Sequence, residues 1–140
     1  MDESAFISSI ECRFPYSDVA KARELTLRAC QISPNAVFAV IDEITRPPLG
    51  EVVPAFLSDT ILSLIEERLS HPLSRPVIAM ARRIASGDNI SVSDSVALLR
   101  KIESYPGQYV ALSIAYFASD DAEGVANAEY DRISAKWSAA

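Results

Sequence analysis

The chain has one histidine, two cysteines and four glycines in 140 residues, and each shortage removes a class of chemistry. A zinc site built from Cys and His lacks ligands, because His71 stands far from Cys12 and Cys30 and no pair has zinc-site spacing. The glycines, at 50, 87, 107 and 124, are isolated, so no glycine-rich loop cradles a phosphate. No Gly-x-Ser-x-Gly elbow presents a nucleophile. Two thiols do not make a secreted disulfide framework. The Glu-x-x-His motif of a di-iron bundle is missing, and Asp88-Asn89-Ile90-Ser91 puts isoleucine where a calcium loop needs its third-position ligand. No cofactor or metal is expected, and no catalytic constellation emerges.

Basic charge is scarce as well. Nineteen acids face thirteen bases, a formal charge of −6. Residues 1–60 hold nine acids and five bases, residues 61–103 five and six, and residues 104–140 five and two. Such acidity favours solubility and works against general nucleic-acid affinity, which rests on phosphate neutralisation. A nucleic-acid regulator would need a basic recognition helix, for which residues 76–86 with Arg82 and Arg83 are the one candidate. Arg68, Arg75, Arg82 and Arg83 lie near the junction of two successive helical segments and form a candidate anion or partner contact. The simpler account pairs the bases of this region with Glu66, Glu67, Asp88 and Glu103. The acidic doublets Asp42-Glu43, Glu66-Glu67 and Asp120-Asp121 are sequence neighbours that point about 100° apart on a helix. They are expected on solvated faces.

A membrane-length apolar run is also wanting. Ser104–Ser119 carries no charge, but its 16 residues fall short of the ~20 that cross a bilayer. The opening Met1-Asp2-Glu3-Ser4 is acidic where a signal peptide is basic, and no apolar core follows it. A cytoplasmic protein with reduced thiols is the expectation, under which the Asn89-Ile90-Ser91 sequon has no role.

What the chain does have is apolar residues, 49% of the total against 23% charged, and prolines that cut it into helix-length blocks. At this length it should form a single domain, 1–140, with about two-thirds of its extended surface buried. Asp18 or Ser17 caps a helix to about Ile32, whose stripe is Ala22, Leu25, Ala29 and Ile32. Ser33-Pro34 then pairs a cap with a proline at the first helical position. The apolar residues 36–41 that follow would also suit a buried strand, but that cap favours a helix to Ile44. Arg46-Pro47-Pro48-Leu49-Gly50 reads as a stiff loop. Further helices are expected over 54–70, 76–86, 94–104, 106–119 and 120–137, with a short one near the start.

The fold class is therefore all-α: a compact bundle of seven or eight short helices around an apolar central helix at about 106–119. In that helix Ala111, Leu112, Ala115 and Tyr116 should be buried. An amphipathic helix followed by a more apolar one occurs three times (18–32 with 34–44, 54–70 with 76–86, 94–104 with 106–119). Stacked helical hairpins or a closed bundle would both satisfy that alternation.

For function, the first expectation is a non-catalytic protein-interaction module, an adaptor, regulator or immunity-type inhibitor. Its partner would be another protein or a second copy in a homodimer. A mean hydropathy of +0.13 and aromatics near helix ends support it, since Trp and Tyr anchor interfaces. The second is a small-molecule sensor or enzyme with an apolar pocket between helices, lined by Phe38, Met80, Tyr109 and Tyr116. Trp137 joins these four as a candidate pocket or interface residue.

Overall fold

The computed structural model describes residues 2–88, 90–104, 108–118 and 124–139. Among them are eight helices: α1 (Glu3–Arg13), α2 (Val19–Ile32), α3 (Pro34–Thr45), α4 (Ala55–Arg68), α5 (Ser74–Ala85), α6 (Val92–Ile102), α7 (Gln108–Tyr116) and α8 (Val125–Ala139). The fold is all-α, and among the described residues the sole β pairing is one bridge between Ile90 and Ala118. No described helix is long and apolar enough to cross a membrane.

Local chemistry explains most boundaries. Asp2, Asp18, Ser33 and Ser91 each accept a hydrogen bond from a first-turn backbone N–H, capping α1, α2, α3 and α6. Pro34 occupies the first turn of α3, where a missing N–H costs nothing. That start settles 36–41 as helix despite its strand-like composition. At the other end of α5, Gly87 adopts φ +80°, and Gly87 N–H and Asp88 N–H donate to the Ile84 and Arg83 carbonyls. This is a Schellman motif, and glycine supplies the left-handed residue it requires.

The three expected hairpins are present as packed neighbours: α2 with α3, α4 with α5, α6 with α7. The first two stack, α4 lying along α2 and α5 against α3. The third hairpin does not extend the stack; α7 turns back onto α3, and α8 closes over α6 and α7. The result is a closed bundle.

The apolar helix expected at about 106–119 is found as α7, packed against α3, α6 and α8, with Ala111, Ile114 and Ala115 buried. Its burial is one-sided at the C-terminal end. Leu112 is half-buried and Tyr116 is 68% exposed, against the expectation for both. The innermost helix is α3, in which every residue from Ala36 to Thr45 is buried. It contacts α1, α2, α4, α5 and α7, which cover it on most sides. Position in the bundle, not apolar content alone, decides which helix lies at the centre. The start of the last helix at Asp120-Asp121 lies outside the described residues.

Candidate functional site

Burying α3 from Ala36 onward takes its two acids out of water. Asp42 and Glu43 are 7% and 8% exposed, and not on the solvated face expected for them. Each has found a different solution to the cost of desolvating a carboxylate. Asp42 accepts from Arg46 Nε and Nη2, both at 3.2 Å, one helical turn on, and from the Ser113 hydroxyl of α7. Glu43 accepts from the Tyr16 phenol, which belongs to the connector between α1 and α2. Burial pushes the Glu43 carboxyl up to about 7; the Tyr16 hydrogen bond opposes that rise, and the charges of Asp42 and Glu11 add to it. Asp42 is raised by burial too, against the lowering effects of Ser113 and Arg46. The Tyr16 phenol is raised by its own burial and by Glu43.

These groups lie along a cleft of about 690 Å³. Its walls are Glu11 from α1, Asp42, Glu43 and Arg46 at the end of α3, Pro47 to Leu49, Leu112 and Tyr116 from α7, and Tyr130 from α8. The proline loop forms one lip. Glu51 N–H donates to the Pro48 carbonyl at 3.0 Å, and Gly50 has φ +92°, the positive φ that the third residue of a type II turn needs. That turn leaves Leu49 fully exposed. A second hollow, about 270 Å³, is lined by Phe14, Tyr16, Glu51, Val52 and Pro54.

Five large apolar side chains are exposed among the described residues: Leu49 and Tyr116 line the cleft, Val52 lines the second hollow, Phe56 follows in the first turn of α4, and Val125 opens α8. Single exposed apolar residues mean little, whereas a cluster marks a contact surface.

The residues singled out from the sequence are placed elsewhere, apart from Tyr116. Arg82 pairs with Asp59 at 3.1 Å and Glu66 at 3.6 Å, and Arg83 with Asp94 at 3.4 Å. Arg68 and Arg75 are exposed, at the end of α4 and the start of α5. Glu103 is taken by Arg132 at 2.9 Å and Lys136 at 3.1 Å, which hold its carboxyl down to about 2, while Arg100 goes to Glu129. Of the expected partners for the middle bases, Glu66 is thus used and Glu103 is diverted to α8. Phe38 is a core residue set edge-on against His71, and Met80 borders a space of about 10 Å³, room for about one water molecule and no ligand. Trp137 is half-buried and donates from Nε1 to the Glu103 carbonyl at 3.2 Å. The side chain of Tyr109 lies outside the described residues. Phe38, Met80 and Tyr116 therefore do not share a pocket. His71 Nδ1 accepts from Leu73 N–H at 3.1 Å just beyond α4. Cys12 is exposed, and burial raises the Cys30 thiol. Among the described residues no group of three acids, histidines or cysteines could hold a metal ion.

Sequence reasoning passed over Asp42 and Glu43, although one signal was available. Ala36 to Ile41 and Ile44 leave the helix no polar stripe, so acids at its end have no wet side to occupy. Compared with family models, with characterised proteins and with solved structures, the chain finds no match.

Proposed function

We propose that this chain is a non-catalytic protein-interaction module that docks a partner on the face formed by the proline loop, the start of α4 and the end of α7. The observation that carries it is the exposure of Leu49, Val52 and Phe56 within eight residues of chain, with Leu49 lining the same cleft as the exposed Tyr116. The turn at Gly50 holds Leu49 outward, and two prolines stiffen the strand of chain that leads to it. A pre-formed apolar lip loses little entropy on binding. The test is site-specific photo-crosslinking from positions 49 and 56 in cells. One discrete, stoichiometric partner, a second copy of the chain included, supports docking, provided that Leu49→Asp and Phe56→Asp abolish it in a folded protein. Crosslinks scattered over abundant proteins and indifferent to both substitutions would end it.

A second reading, a small-molecule sensor or enzyme, is favoured by a different observation. Glu43 lines the cleft with a carboxyl near neutrality, where a general acid or base works best. A small ligand whose saturable binding is lost in Glu43→Gln, with no macromolecular partner, would favour this reading over docking.

A further inference from the structure

We propose that the docked partner presents a basic segment, and that one arginine or lysine side chain of it enters the cleft between the proline loop and α7. This rests on the docking reading and names the chemistry of its partner.

Among the described residues the cleft walls carry Glu11, Asp42 and Glu43 against a single base, Arg46, and Arg46 is already committed to Asp42. Glu51 stands on the adjoining hollow. Glu43 is the under-compensated member. Its donor is a neutral phenol, and the groups around it are Glu11 from α1, Tyr16 from the connector, Asp42 and Arg46 from its own helix. A guanidinium or ammonium arriving from outside meets an excess of negative charge that the fold leaves in place. The remaining walls suit the rest of such a side chain. Leu49 and Leu112 can cover an aliphatic stem, and Tyr116 and Tyr130 bring aromatic rings to the walls, a group that attracts cations. A volume of about 690 Å³ admits a whole arginine side chain. The chain as a whole, at −6, would also draw a basic partner to the encounter.

Ionised Glu43 is the form that attracts the cation, so binding must be coupled to loss of its proton. Affinity is then expected to rise as pH moves from 6 to 8.

The probes are two capped tripeptides, acetyl-Leu-Arg-Phe-amide and its citrulline counterpart, which keeps the shape of arginine but replaces one NH2 donor group by a carbonyl oxygen and removes the charge. Both are titrated into the full chain at pH 6 and pH 8, following methyl and ring NMR signals of Leu49, Leu112, Tyr116 and Tyr130. The arginine peptide should shift those signals saturably, bind at least tenfold tighter than the citrulline peptide at pH 8, and lose most of that advantage at pH 6. Glu43→Gln should remove the pH dependence. Tyr116→Ala changes an exposed ring, so it should keep the fold and still weaken the arginine peptide several-fold. Equal binding of the two peptides, shifts at other residues or no saturable binding would overturn the inference. If crosslinking from positions 49 and 56 still captures one partner in that case, the docking reading stands and only its charge is wrong. If the arginine peptide binds as described while the crosslinks fail, the docking reading falls and the cation site remains.

Discussion

Tyr16 donates its phenolic hydrogen bond to the carboxylate of Glu43, joining the α1–α2 connector to the last turn of the innermost helix. Both residues are buried, so this contact decides how a titratable group is tolerated beside the core. A phenol is a good donor but brings no charge. The Glu43 carboxyl therefore keeps its proton up to about pH 7, whereas an unfolded chain releases it near 4.5.

Stability should depend on pH through that difference. Between pH 4.5 and 7 the folded chain binds more protons than the unfolded one, so stability falls as pH rises across the window and levels off above it. The gap corresponds to about 3 kcal/mol. Asp42, raised by burial, acts in the same direction at lower pH, whereas the lowered Glu103 loses its contribution only as pH falls from 4.5 toward 2. Urea midpoints measured from pH 5 to pH 8 should decline, and Glu43→Gln should flatten most of that decline. A parent curve that is flat from pH 5 to 8 would contradict the burial of Glu43.

Tyr16→Phe removes the donor and leaves the ring. An ionised buried carboxylate without its hydrogen bond costs about 1–3 kcal/mol, and a protonated one costs less. The variant should therefore lose more stability at pH 8 than at pH 5. Its Glu43 resonance should titrate at still higher pH, because the Tyr16 hydrogen bond lowers that pKa in the parent. Carbon-13 NMR of the glutamate carboxyls reads both effects.

What was legible in the sequence was local. Ser33-Pro34 specifies a helix start through groups a few residues away, and the structure keeps it. The stripe of α2 is local in the same sense: Ala22 and Ala29 are buried, and Leu25 and Ile32 are half-buried against the core. The cleft is not local. Tyr16 and Glu43 are 27 residues apart and Ser113 and Asp42 are 71 apart, so no spacing rule links them. The identity of the innermost helix was hidden for a related reason. An apolar sequence says that a helix wants cover, but the tertiary packing decides whether α3 or α7 receives it on every side.

Ser33 joins two tasks that one substitution should separate. Its Oγ accepts from Ala36 N–H at 3.1 Å as the cap of α3 and donates to Glu3 of α1. Ser33→Ala should cost about 1 kcal/mol through the cap. Ser33→Asp preserves the acceptor but sets a carboxylate against Glu3, so it should recover the cap and loosen α1. Amide exchange in Phe6 to Ile10, compared between the two variants, distinguishes these outcomes.

The sharpest contrast lies between two adjacent residues of α7. Ala115 is buried where α7 packs against its neighbours, while the next side chain, Tyr116, stands at the cleft mouth. Ala115→Asp would strand a charge in the core, at a cost of several kcal/mol against a total of about 5–15 kcal/mol for a domain. That variant should be largely unfolded or insoluble. Tyr116→Asp, one residue on, should fold with a melting temperature close to the parent's. Circular dichroism and size-exclusion light scattering on the pair give the answer. An Ala115→Asp protein as helical and heat-stable as the parent, but reduced from dimer to monomer, would move position 115 from the core to an interface between copies. The packing of α7 on α3 would then be wrong, and with it the wall that α7 contributes to the cleft.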